Sequence, residues 1–317
     1  MGRVLVGPVR FRELCPVACE MLESAGHELI LNTSSVPLLR EELERFAPSI
    51  DAAIVGMDDW DADLIAQASK LKILAKLGVG LDNIDRQAAR ELGVDVTNAP
   101  GGNANAVAEL ALGLMLAAAR QIVTQDRTLH AGGWDRMTGV EITGKTVGLL
   151  GFGMTAQNLA RRLRGFEVEL IAYDPWADPS RAADLQVRLA TFDEVVSGCD
   201  FLSVHLPHTP ETHHIVSREQ LVSMRPGSIL VNTSRGGVVD EPALYDALVS
   251  GVPVAAGIDV WEVEPPSADH PLLSLPNVVG TCHGAADTYE AYDKVGRVTA
   301  RAINERLAGR KPLNIQN

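Results

Sequence analysis

The chain reads as an α/β protein built on doubly wound parallel sheets. Three observations in its 317 residues point there. Short apolar runs alternate with helix-like stretches from end to end. A glycine turn at 151–156 lies between one such run and a helix. A breaker cluster, Asn98-Ala99-Pro100-Gly101-Gly102, divides the alternation into two blocks.

In the first block, residues 4–6 predict a strand and 16–25 a helix. Further strands are predicted at 28–32, 52–55, 71–76 and 94–97. After the breaker cluster, residues 105 to about 129 predict one long helix. Its longest apolar run, 110–119, is too short to span a bilayer, and Glu109 and Arg120 at its ends suit a buried helix. The second block occupies 144–286, with a strand at 147–150, a helix at 156 to about 163 and a strand at 168–172. Strands at 201–205, 229–232, 254–259 and 278–281 complete it. A final helix, 288–307, is expected to cross back onto the first block.

The stretch 146–174 carries the most chemical information. Gly151 permits a tight turn and Gly153 lets a pyrophosphate approach the backbone. Ala156, third in a G-x-G-x-x-G/A pattern, lets the helix sit close on the strand. The helix N-terminus then presents its amides and positive dipole end to phosphates. Asp174 follows at the end of the next strand, about 20 residues on, where a ribose-binding acid belongs. Its carboxylate suits both ribose hydroxyls and repels a 2′-phosphate, and Pro175, Trp176 and Ala177 supply no cation. NAD, rather than NADP, is the expected cofactor.

Composition bounds the rest. With 46% apolar residues, the chain has material for one large core or two modest ones. Its four cysteines are scattered, which argues for a reducing compartment, without a disulfide framework or a metal site. No N-terminal signal pattern is visible, so a soluble, cytoplasmic chain with no membrane segment is expected. A net charge of −13 argues against nucleic acid as a partner. An anionic substrate must then be drawn in by local cations rather than by the overall field.

In open α/β sheets ligands bind at the carboxyl ends of strands. The residues there are His205, Thr233-Ser234-Arg235, Asp259 and His283, expected to converge on one crevice. Arg235, Glu264 and His283 form an interpretable set. Reducing a 2-oxo acid requires a clamp on its carboxylate, which a planar guanidinium provides. It requires a proton for the carbonyl oxygen, which a histidine delivers near neutral pH. A carboxylate beside that histidine fixes its tautomer and raises its pKa.

On these residues the chain resembles the D-2-hydroxyacid dehydrogenases, in the branch of the D-3-phosphoglycerate dehydrogenases. The resemblance runs from about residue 71 to 304. It rests on GVGLDNID (78–85), NAPGGNANAVAEL (98–110), GKTVGLLGFGMTA (144–156), HLPHTPET (205–212), MRPGSILVNTSRGGVVDEPAL (224–244) and the segment around His283. It implies two doubly wound domains, Rossmann-like and flavodoxin-like, with a cleft between them. Residues 1–98 plus 288–317 would bind substrate and 99–287 would bind NAD. Arg235 would clamp and polarise the substrate, and Glu264 would pair with the acid–base His283. Thr155, Pro207, Thr212, Thr233 and Asp259 would line the cofactor site, with Gly151, Gly153, Met154, Asp174, His205, Ser234 and Gly284. Lys76, Gly78, Val79 and Gly80 would bind substrate, largely through backbone amides, with Asn103 nearby. The helix after Asn105 would serve a homodimer interface. A short form, without the regulatory extension and serine feedback of longer relatives, is expected.

Departures from the family pattern are Ala156 for the third glycine, Met154-Thr155 in the turn, and Cys282 where proline commonly precedes the histidine. Lys76, Arg10, Arg12 and Arg136 are candidate cations for a second anionic group. If they face the substrate, it is a doubly anionic three-carbon 2-oxo acid such as 3-phosphohydroxypyruvate, phosphonopyruvate or sulfopyruvate. If they face solvent, hydroxypyruvate or glyoxylate fits. A reading of another class is an NAD-sensing, corepressor-like binding protein, which the intact Arg–Glu–His set disfavours.

Overall fold

The computed structural model describes the whole chain, Met1–Asn317. It divides into two compact units, Met1–Asn103 with Asp287–Asn317, and Ala104–Ala286.

The first unit is built on a sheet of five strands: β1 (Arg3–Val6), β2 (Glu28–Leu31), β3 (Ala52–Val55), β4 (Ile73–Lys76) and β5 (Asp95–Thr97), in the order β2-β1-β3-β4-β5. Every pairing is parallel. β3 is buried along its whole length, which explains its unbroken apolar sequence. On one face, Cys19 and Leu22 of the helix Pro16–Ser24 pack with Ala300 and Ile303 of the helix Tyr289–Leu307 over Val4, Val6 and Ile73. On the other, Leu43, Trp60, Leu64 and Ile65 cover Leu5, Ala53 and Leu74. The last helix thus returns to the first block, as its position in the sequence predicts. The unit ends after Asn103, a few residues beyond the break at 98. The breaker cluster is bonded inward: the Ala99 amide donates to the Gly78 carbonyl at 2.9 Å and Asn98 Nδ2 to the Val79 carbonyl at 2.7 Å.

The second unit carries seven strands: β6 (Thr146–Leu150), β7 (Glu169–Tyr173), β8 (Val187–Leu189), β9 (Phe201–Val204), β10 (Ile229–Asn232), β11 (Ala255–Ile258) and β12 (Val278–Gly280). Their order is β12-β11-β10-β9-β6-β7-β8, all parallel. Strand order reverses between β6 and β9, and the register there pairs Leu150 with Val204. The chain leaves these two strands at Gly151 and His205, so both residues sit at the topological switch point, where doubly wound sheets bind ligands.

The predicted helix from 105 to about 129 is in fact two, Ala104–Ala119 and Ile122–His130, meeting at 63°. The first buries Ala108, Ala111, Leu114 and Met115 in the core with Val231 and Ala255. The second has no fully buried side chain, and only Val123 packs partly against that core. Gln121 turns at φ 52°, and the Ala119 carbonyl accepts from the Val140 amide at 2.9 Å as the chain folds back. No single helix is long and apolar enough to cross a membrane.

Candidate active site

Gly151 sits at φ 89°, and a Cβ there would lie 2.8 Å from the His205 carbonyl oxygen, so only glycine fits between the two adjoining strand ends. Gly153 caps the helix Met154–Leu163, and nothing stands within 4 Å of where its Cβ would be. No side chain caps this helix, which leaves its first amides to a ligand or solvent. The helix starts at Met154, two residues before the sequence-based position, so Met154 and Thr155 form its opening turn. Ala156 is fully buried against the sheet. Asp174 braces the turn: its Oδ2 accepts from the Phe152 amide at 2.8 Å and its Oδ1 from the Trp176 amide at 2.9 Å.

Around the neighbouring strand ends, burial pushes His205 down to about 4, so its imidazole is neutral, with Nε2 3.0 Å from Ser203 Oγ. Thr212 Oγ1 donates to the Pro207 carbonyl at 2.6 Å and accepts from the Thr209 amide at 2.8 Å, which shapes the loop after β9. Thr233 Oγ1, at the end of β10, is buried and has no hydrogen-bond partner. A buried hydroxyl without a partner is costly unless a ligand supplies one. The unpaired hydroxyl, the open face at Gly153, the uncapped helix and the Asp174 carboxylate together fit a dinucleotide.

Arg235 is set by the turn after β10. Asn232 is buried: its Nδ2 donates to the Arg235 carbonyl at 2.9 Å, while its Oδ1 accepts from the Ser234 amide at 3.0 Å and hydroxyl at 2.8 Å. Arg235 Nη1 donates to the Ser234 carbonyl at 2.7 Å. Glu264 follows β11, with Oε1 accepting from the Trp261 amide at 3.0 Å and Oε2 from His283 Nδ1 at 2.7 Å. His283 follows β12 in the left-handed region, at φ 49°. Its amide donates to the Asp259 carbonyl at 2.7 Å.

The Asp259 carboxylate is wholly buried and turned toward the His283 segment. Its Oδ1 accepts from Thr281 Oγ1 at 2.6 Å and the Gly284 amide at 2.9 Å, and its Oδ2 from the Ala285 amide at 3.1 Å. It therefore acts as a strut that holds the histidine in its strained turn. Cys282, just before the histidine, is exposed.

The hydrogen bond and charge of Glu264 raise the His283 pKa, outweighing burial and the Arg235 charge, which act downward. For Glu264, burial acts upward but is outweighed by the bonds from His283 and the Trp261 amide, so its pKa falls. Nδ1 is held as a donor to the carboxylate, which leaves Nε2 to exchange a proton with a bound molecule. Arg235, Glu264 and His283 thus lie in the segments that follow three adjacent strands of one sheet.

The remaining predicted residues, Arg136 apart, lie in the first unit. Lys76 Nζ donates to the Gly56 carbonyl at 2.5 Å and to Asn83 Oδ1 at 2.7 Å. The amides of Gly78, Val79 and Gly80 make no hydrogen bond within the chain. Asn103 is the last residue before the helix Ala104–Ala119. Arg10 pairs with Glu13, and Arg12 with Glu23 at 2.5 Å, all at the surface. Arg136 is exposed in the segment after Ile122–His130. Sequence reasoning passed over Asn232, whose signal is the Asn-x-Ser spacing of a side-chain-closed turn. It also passed over Glu241 and Glu262, which bond to each other's backbone.

Residues 112–285 match the family described as D-isomer specific 2-hydroxyacid dehydrogenase, NAD binding domain. The D-3-phosphoglycerate dehydrogenase of Archaeoglobus fulgidus is 42% identical over 303 residues, which cover 95% of this chain and 57% of that protein. The chain thus spans a little over half the length of that relative. The hydroxypyruvate reductase of Thermotoga maritima is 46% identical over 285 residues, covering 87% of this chain and 92% of the relative. Among solved structures, a protein of Thermus thermophilus superposes with a TM-score of 0.92 at 33% identity, over 99% of this chain and 100% of that one.

Proposed function

The chain belongs to the D-isomer specific 2-hydroxyacid dehydrogenase family, and from that membership we propose that it interconverts a small 2-oxo acid and its D-2-hydroxy acid with NAD. The observation that carries the proposal is the 2.7 Å bond between Glu264 and His283, on strand ends adjoining the one that carries Arg235.

NADH, when bound, supplies the hydride. Gly151, Gly153 and the amides opening the helix Met154–Leu163 hold its diphosphate, Asp174 its ribose, and Thr233 and the loop 205–212 the remainder. Arg235 clamps the substrate carboxylate through two parallel hydrogen bonds. His283 delivers a proton from Nε2 to the carbonyl oxygen, and Glu264 stabilises the imidazolium before delivery. In the oxidation direction His283 accepts the hydroxyl proton. The amides of Gly78, Val79 and Gly80 serve as further donors to a substrate carboxylate.

The first substrate reading is a doubly anionic three-carbon acid of the 3-phosphohydroxypyruvate, phosphonopyruvate or sulfopyruvate type, in line with the name of the A. fulgidus relative. The ion pairs Arg10–Glu13 and Arg12–Glu23 favour a second reading, hydroxypyruvate or glyoxylate, because those cations already face carboxylates. NADH oxidation at 340 nm across a panel of both kinds of acid decides. A kcat/KM advantage of about tenfold for the doubly anionic members, about 1.4 kcal/mol, supports the first reading; equal or better rates with hydroxypyruvate support the second. NADH binding with no turnover on any member would refute the enzyme and favour a sensor. A homodimer and a cytoplasmic location complete the proposal.

A further inference from the structure

Outside the proposed active site, the second unit holds a run of paired carboxylates and imidazoles that the reaction does not use. Glu241 opens the helix Glu241–Ser250, and its side chain is almost wholly buried. Its Oε1 accepts from the Glu262 amide at 2.9 Å and its Oε2 from His270 Nε2 at 3.1 Å. Glu262 answers it: its Oε1 accepts from the Glu241 amide at 3.3 Å and from His214 Nε2 at 2.7 Å. His214 in turn stacks on His213, whose ring bonds to His208. The two carboxylates, which repel one another, are thus each bracketed by an imidazole and by the other's backbone N–H.

These bonds join three segments, each adjoining the proposed machinery. His214 ends the loop after β9. Glu241 lies six residues beyond Arg235, at the end of the same connection. Glu262 lies two residues before Glu264. Gly236, next to Arg235, abuts the Trp261–Glu262 peptide so closely that a Cβ on it would overlap the Trp261 carbonyl carbon and the Glu262 nitrogen. That residue pair also aims Glu264, since the Trp261 amide donates to Glu264 Oε1 at 3.0 Å. A shift of the Trp261–Glu262 backbone would therefore move Arg235 and Glu264 together.

We infer that Glu241 and Glu262 form a clasp of positioning residues: they lock the Trp261–Glu262 peptide and so hold Glu264 against His283 and Arg235 in register with both. The inference rests on the proposed reaction, but it makes a physical claim about His283 that needs no turnover. The groups facing His283 are Glu264, Arg235 and Asp259. With the clasp broken, Glu264 drifts and the imidazolium loses its main support.

The test compares Glu262→Ala, Glu262→Gln and Glu241→Ala in the full-length protein. The His283 ring titration is followed by NMR, assigned with His283→Asn. Thermal melting is recorded alongside kcat and KM for the best 2-oxo acid. Glu262→Ala is expected to lower the His283 pKa by about half a unit or more. It should cut kcat on the order of ten- to a hundredfold, the scale of a small misplacement, with a smaller change in KM. Glu262→Gln keeps a side-chain oxygen for His214 and the Glu241 amide, and should recover most of that loss. Glu241→Ala should act in the same direction. Because Glu241 is buried and its removal threatens folding, Glu262→Ala is the deciding variant. A lowered melting temperature with an unchanged His283 pKa and kcat would overturn the clasp and leave a merely structural pair. A wild-type protein that turns over no 2-oxo acid would sink the functional reading, while the ring titration would still judge the clasp.

Discussion

His283 and Glu264 each favour the charged form of the other, and the direction of each shift sets the pH behaviour. His283 is raised, so its share of the pair's stability is present below its unfolded pKa and is lost as pH rises through the folded value. Glu264 is lowered, so its share is present above its unfolded pKa and is lost as pH falls through the folded value. The pair is intact between those two limits. On the proposed mechanism, 2-oxo acid reduction declines as pH rises through the raised His283 value. Glu264→Gln should move that limb of the kcat/KM profile to lower pH, and an unmoved limb would detach Glu264 from the proton donor. His283→Ala should lower kcat on the order of 10²–10⁴-fold in a steady-state assay. Asp174→Ala should narrow the preference for NADH over NADPH. It should also weaken NADH binding measured by fluorescence titration, because the same carboxylate braces Phe152 in the turn. Arg235, Glu264 and His283 stood out in the sequence because each follows a strand, where chemistry gathers in this architecture. Glu241 and Glu262 did not: their value lies in bonds to each other's backbone, and nothing in local sequence marks which glutamate is buried.

At the scale of elements, the glycine turn shows why spacing was readable. Gly151 must be glycine on two counts, its positive φ and its approach to His205 at the meeting of β6 and β9. Gly151→Ala should therefore abolish measurable NADH binding by fluorescence while circular dichroism retains the α/β signature. An affinity near that of the wild type would mean that the diphosphate is held elsewhere. Most strands were legible because buried parallel strands read as short, largely apolar runs; β8 was not predicted, because its sequence is Val-Arg-Leu and only Val187 is buried. Nor was the break at Gln121. Residues 105–129 carry no proline, and at the bend the Ala119 carbonyl turns to Val140, while only the first helix has fully buried side chains.

At the scale of the molecule, the helix Ala104–Ala119 belongs to the core of its own unit. The segment that follows is what offers apolar surface to a partner: Ile122, Leu129, Trp134 and Val140 are all exposed, Trp134 at 83%. Such residues favour association over solvent. The proposed homodimer should accordingly elute with twice the monomer mass in light scattering, and a double variant, Leu129→Glu with Trp134→Glu, should shift it to monomer. A monomeric wild type would end that proposal.

By itself the sequence determined the α/β class, most of the parallel strands and the glycine turn, and it marked three residues that follow successive strands as candidates. All of these are encoded in runs of a few neighbouring residues whose polarity and spacing follow directly from backbone geometry. Only the tertiary structure decided where the first unit ends, where the long helix breaks, that Asp259 braces the histidine segment, and that Glu241 and Glu262 clasp one another. Each of those depends on which polar group from a distant part of the chain arrives to satisfy a buried carbonyl, amide or carboxylate, and that is settled only when the sheets have formed and brought the segments together.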